Sequence, residues 1–229
     1  MKQIKFINIL LSMLLTVMFT GCLSDGDETV SLEYGNHDER LDNVVPEELQ
    51  AAIGKYMPIY YGENPPLIEG AYYMSPLVAV YCEDGGFEPG EKASPLTIRF
   101  SNQNTVNNTL DIAGYDDNDS SGAGTGAFIS GNGNNFTAFF NINGVDNGIS
   151  IKMAMVISGT KTSNGIKDLC FASLMVKKGS DPNHKLMDEG VFRVFKDGDG
   201  LSENTSWNKT RSLEDYTTMP EWIIHSIIR

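Results

Sequence analysis

Basic residues are scarce in this chain. Seventeen Lys and Arg stand against 30 Asp and Glu in 229 residues, a formal charge of −13. Nucleic-acid binding wants a basic footprint, and electrostatic docking on an anionic membrane wants clustered Lys and Arg. The charge balance argues against both. Histidine is as sparse, at His37, His184 and His225, and neither His-Glu-x-x-His nor Cys-x-x-Cys spacing occurs. No metal site is therefore expected. There is no Gly-x-Ser-x-Gly nucleophile elbow. The glycine-rich Gly122–Gly126 is not followed by Gly-Lys-Ser/Thr or by a helix pattern, so it lacks what a phosphate cradle needs. No catalytic activity and no cofactor are expected.

Apolar residues, by contrast, make up 41% of the chain and aromatics 10%, alongside 23 glycines. That is enough for a packed core, and it leans towards short strands joined by tight turns. The chain opens differently. Lys2 and Lys5 precede an apolar run, Phe6–Phe19, of about 14 residues, short of the ~20 that span a bilayer. The run ends in Phe19-Thr20-Gly21-Cys22. This order of charge, apolar core and terminal cysteine resembles the signal and lipobox of bacterial lipoproteins. The resemblance implies cleavage before Cys22 and acylation of that residue, which anchors the protein in a membrane without a helix in the bilayer. An ordinary secretory signal with an incidental cysteine is the alternative. The acidic stretch Asp25–Glu28 resembles the export signal of Bacteroidota surface lipoproteins, implying an outer-membrane protein exposed at the cell surface. Residues 1–21 thus read as a signal peptide and 22–45 as an acidic flexible tether.

Residues 46–229 read as one domain. Pro46-Glu47-Glu48 suits a helix start, and Leu49, Ile53 and Met57 form one apolar stripe, predicting a helix over 46–57. From Ile68 the pattern is that of strands. Eight candidates follow: 71–81, 96–101, 109–115, 126–130, 136–143, 148–158, 166–177 and 191–196. Residues 136–143 and 148–158 alternate with period two. Glu83–Gly86, Asn132–Asn134, Asp146–Gly148 and Ser163–Gly165 carry hairpin chemistry. No long helix interrupts the series, which predicts a mainly β, antiparallel fold, either an up-and-down barrel or a sandwich. Closure removes sheet edges, which favours the barrel. The choice turns on whether the strand near 71–81 pairs with the one near 191–196. Lys196–Glu203 begins like a calcium loop but has Leu201, Ser202 and Asn208 where an EF-hand needs oxygen, Gly and Glu, so it reads as a turn after the last strand. Asp116–Ser121 reads as a solvated acidic loop. The segment 212–229, with Trp222, Ile223, Ile224, Ile227 and Ile228, is expected to pack onto the domain as a short helix or strand.

Gly70-Ala71-Tyr72 in the first strand and Arg193 in the last resemble the Gly-x-Trp element and late-strand arginine of lipocalin-like barrels, with Tyr72 in place of Trp. The resemblance implies a barrel over roughly 68–200 that binds a small apolar or amphipathic molecule. Tyr72, Phe140 and Met153 are the candidate lining residues, each on one face of its strand. A cell-envelope protein with a filled barrel, serving structure or protein interaction, is the alternative. Cys82 and Cys170 read either as a disulfide or as two small buried residues. Palmitate-analogue labelling should mark the wild-type protein and not Cys22→Ala; equal label in both would refute acylation at Cys22.

Overall fold

The computed structural model describes residues 40–116, 121–146 and 148–207, of which 116, 121–126 and 144–146 are described by backbone alone. The signal segment with Cys22, the acidic tether before residue 40, most of the Asp116–Ser121 loop and the tail 212–229 lie outside the described residues.

The described chain is mainly β, with one helix, α1 (Glu47–Ile53). The strands are β1 (Glu63–Asn64), β2 (Gly70–Met74), β3 (Leu77–Cys82), β4 (Lys92–Ala93), β5 (Leu96–Asn104) and β6 (Thr109–Asp116). They continue with β7 (Ser121–Asn132), β8 (Asn135–Asp146), β9 (Ile149–Lys161), β10 (Gly165–Lys178), β11 (Phe192–Asp197) and β12 (Leu201–Thr205). From β5 to β10 each strand pairs antiparallel with the next, as hairpins dictate. Gly133, at φ +63, and Gly148, at φ +78, supply the left-handed backbone for the β7–β8 and β8–β9 turns. Register is firmest between β8 and β9, unbroken from Asn135↔Thr160 to Asp146↔Ile149. There the alternating pattern leaves only one arrangement that buries both apolar sets.

The sheet closes partly in a ring. β2 pairs with β5 on one side and with β12 on the other, and β12 returns to β10 through Gly165–Lys167. Farther along β10, residues Cys170–Leu174 pair with β11, which pairs with β3. The strand expected over 71–81 does lie beside 191–196, with Arg193↔Cys82 and Val194↔Tyr81. It is not one strand, however. Pro76 has no amide hydrogen to give to a ladder, and the run splits into β2 and β3 around it. The last strand splits too, and the turn expected after it is followed by β12, an unforeseen strand. The two breaks face each other: the Gly198 N–H donates to the Pro76 carbonyl at 2.7 Å. A Cβ on Gly198 would run into Val78 and Pro76, so the approach needs glycine.

Two buried clusters lie on the two faces of the sheet. Inside the ring, Phe136, Ala138, Phe140 and Ile142 of β8 meet Ile151, Met153, Met155 and Ile157 of β9, with Phe100, Phe171 and Phe195 from other strands. Leu186 and Met187, from the loop after β10, join this inner cluster and are wholly buried. Outside, Phe139, Ala154, Val156, Ala172 and Leu174 are covered by Ile53, Met57 and Ile59. The helical stripe thus acts as expected, although α1 stops at Ile53. Beyond Gly54 the amides of Lys55 and Tyr56 turn to carbonyls three residues back, a tighter winding. Burying hydroxyls on that outer face requires partners. Ser158 donates to the Pro58 carbonyl at 2.7 Å, Thr137 accepts the Tyr60 N–H at 2.7 Å, and Ser130 accepts the Gly62 N–H at 3.0 Å. These three rungs fix the covering segment 58–62 to the sheet.

One end of the ring is held by a buried ion pair. Arg193 points inward and donates to Asp84 through Nε at 3.0 Å and Nη2 at 2.7 Å. Their side chains are 0% and 1% exposed. Burial opposes the charge on Asp84, but the Arg193 hydrogen bonds hold its carboxyl below the usual range. Gly86 lies so close to the guanidinium that a Cβ would strike it. Removing one partner strands the other charge in the core. Asp84→Ala should lower unfolding stability by about 3–5 kcal/mol in urea denaturation; a loss under about 1 kcal/mol, as for a surface pair, would contradict this.

Candidate functional site

Tyr72, Phe140 and Met153 are brought into one interior cluster, with relative exposures of 0%, 3% and 0%. Phe140 stands opposite Met155, and Met153 opposite Ile142 and Met175, so the two candidates are diagonal neighbours on β8 and β9. Tyr72 reaches the cluster from the β2 end. Its ring lies 6.0 Å from that of Phe100, which in turn meets Phe136 edge-on at 6.1 Å. The Tyr72 hydroxyl donates to the Ile68 carbonyl at 2.9 Å, and burial pushes its pKa up to about 12. It is a structural hydrogen bond rather than an acid at neutral pH. All three side chains are spent on packing one another and their neighbours.

The structure separates the two residues that carried the lipocalin-like pattern. The cation over the Tyr72 ring is Lys161, its ammonium 5.1 Å from the centroid. Arg193 sits 5.8 Å from the Phe87 ring and is engaged by Asp84. Its register partner Cys82 stands at the far end of the 70–82 run from Tyr72.

Cys82 and Cys170 are free thiols. Of the two readings of these cysteines, the disulfide is excluded by the sheet itself. Cys82 packs against the inner cluster and Cys170 belongs to the outer one, so their side chains leave the sheet on opposite faces. Burial pushes both thiols up to about 11, which keeps them protonated and poorly nucleophilic at neutral pH. Ser158 Oγ lies 3.3 Å from Cys170 Sγ within this apolar setting. No base is supplied for either thiol by these contacts.

The Asp-rich stretch after β11 is tied up internally. Asp197, 2% exposed, accepts the Ser202 hydroxyl at 2.6 Å, and burial raises its pKa. Asp199 accepts the Leu201 N–H at 3.0 Å. Among the described residues no group of three or more His, Cys, Asp or Glu could hold a metal ion. No helix among them is long and apolar enough to cross a membrane.

Two surface grooves offer room among the described residues. One of about 370 Å³ opens where β10 changes partner from β12 to β11, lined by Tyr56, Val80, Cys170 and Lys196 among others. A second of similar volume lies over the ends of β8–β10. Sequence reasoning missed both, because each depends on a register irregularity in β10. Beside the second, the loop after β10 is anchored by Asp181, whose side chain is 2% exposed. The Lys185 and Leu186 amides donate to it at 3.0 and 3.1 Å, and the Lys178 ammonium at 3.0 Å. Those donors, the Lys185 amide foremost, hold the carboxyl at about 2 against an ordinary 3.8.

A folded-state pKa below the unfolded value means stability is present above pH ~4 and is lost as pH falls towards 2. Hydrogen-exchange protection factors over residues 179–191, relative to intrinsic rates at each pH, should therefore fall between those limits. Asp181→Asn should remove this pH dependence; an unchanged acid profile would refute the assignment.

No family model, curated protein or solved structure matches the chain.

Proposed function

We propose that this chain is a non-catalytic, lipid-anchored protein of the outer membrane, exposed at the cell surface, whose partly closed ring is an up-and-down, lipocalin-like barrel with a filled interior. It serves as a rigid scaffold that presents its outer face and loops to a partner. The anchor and location rest on the Cys22 motif and the acidic stretch behind it. The barrel reading is supported by the pairing of 70–82 with 192–205, which joins the first long run to the last.

One observation supports a solid scaffold over an enclosed ligand. The inner positions carry Tyr72, Phe100, Phe136, Phe140, Phe171, Phe195 and five methionines, buried against one another. A ligand-binding barrel needs apolar volume of several hundred Å³ in its mouth or interior, and here side chains hold that position. Of the two sequence readings, this favours the interaction protein over the carrier of a small amphipathic molecule.

Met153→Ala separates them. A residue packed in a solid core should cost about 2–5 kcal/mol on truncation, whereas a wall residue facing a ligand cavity should cost far less without the ligand. Native mass spectrometry of the protein after exposure to cell extract should show only polypeptide and acyl chains. A retained small amphiphile, together with a small Met153→Ala penalty, would overturn the reading.

A further inference from the structure

We propose that the outer face of β8–β10 carries an oxyanion-binding site, built on Lys152 and Lys177 and fitted to a phosphate group. Asn143, Lys152 and Lys177 form one row across three strands, through the registers Asn143↔Lys152 and Lys152↔Lys177. Ile142 and Met153, the chain neighbours of Asn143 and Lys152, belong to the interior, so this row faces outward. A bulge in β10 between Met175 and Lys177 is what sets Lys177 opposite Lys152. A regular ladder would have placed Val176 there.

Like charges directly opposite on a sheet repel. A carboxylate beside either lysine would offset that repulsion, as it does for two other lysines of the described chain. Lys167 has Asp168 at 3.7 Å, and Lys178 has Asp181 and Asp188 at 3.0 and 2.9 Å. Neither Lys152 nor Lys177 has an ion-pair partner among the described residues. Carboxylates of the adjoining loop are committed to Lys178: Glu189 accepts the Lys178 N–H at 2.8 Å, and Asp181 and Asp188 hold its ammonium.

The two lysines border the groove of about 370 Å³, whose wall also includes Asn143, Ser150, Ile151, Gly179 and Lys178, the last already paired with Asp181 and Asp188. Ser150 and Gly179 are small and leave the groove open beside the two lysines. The Gly179 N–H is already given to the Ser150 carbonyl at 2.7 Å, so recognition falls to side chains. Two ammonium groups, an amide and a hydroxyl all offer donors. A compact oxyanion uses every one of them and cancels the repulsion. A neutral ligand does not cancel it, and the protein's net negative charge keeps anions from most of the remaining surface. Free phosphate and a phospholipid headgroup present this same chemistry.

The experiment uses the mature protein without acyl chains, in two arms. Inorganic phosphate is titrated while amide shifts of 143–152 and 177–179 are followed by NMR. In parallel, cosedimentation is measured with vesicles of phosphatidylglycerol in phosphatidylcholine and with phosphatidylcholine alone. Lys152→Ala/Lys177→Ala should weaken binding by roughly tenfold or more, and Lys92→Ala should leave it unchanged. Saturable phosphate binding lost in the double variant supports a free oxyanion. Binding to anionic vesicles alone, lost in the same variant, supports a headgroup. At low salt the double variant should melt no lower than wild type, because its repulsion is gone, and phosphate should raise the melting temperature of wild type only. No binding in either arm, equal binding by the double variant, or a double variant that melts lower than wild type overturns the proposal.

Discussion

An antiparallel meander leaves two rows of unpaired amides and carbonyls, one at its first strand and one at its last. Here those rows satisfy each other, 70–82 lying along 192–205. Each run has to bend to follow the ring, and each is broken once, at Pro76 and at Gly198–Gly200. Because the breaks coincide, the Gly198 amide that would have been orphaned finds the Pro76 carbonyl. Most of the remaining architecture follows from this contact. It turns an open sheet with one face to bury into a curved one with an inside, and it brings Arg193 over the loop that carries Asp84.

Once the inside exists, it must be filled or left hollow. The chain fills it with aromatics and methionines, long side chains that adapt to a tapering space, and seals it with Leu186 and Met187 from a loop. The outside is treated in the same way over β7–β11, under α1 and the segment behind it. A sheet buried on both faces carries near-continuous apolar runs. That is why β10 reads Leu169-Cys170-Phe171-Ala172-Ser173-Leu174-Met175 with little alternation, while its neighbours β8 and β9 still show their period.

Strand periodicity and hairpin turns made the β class, the helical stripe of Ile53 and Met57, and the inward set on β8 and β9 legible in the sequence. They are local properties, and the ladder repeats them. The division of the first strand was also written there, in Pro76, but the Tyr- and Val-rich flanks outweighed it. β12 escaped because Asp197-Gly198-Asp199-Gly200 is a turn signal, and the strand after it gains its partner only from β2 and β10, distant in sequence. The opposite facing of Cys82 and Cys170 depends on a register between β3, β11 and β10 that no spacing along the chain encodes. The Lys152–Lys177 pairing depends on one extra residue in β10, and a bulge in an apolar run leaves no compositional mark.

The covering segment has a mechanical consequence. Through β1 it runs parallel to β7, with Glu63 beside Gly131 and Asn64 beside Asn132, and Ser158, Thr137 and Ser130 grip the five residues ahead of it. A pull on the N-terminal end of the described chain is directed along this strap. The rungs are then strained together in shear instead of being unzipped singly. Tension arriving from that end is spread across the broad face of the sheet, and the inner cluster, on the other face, is shielded from it.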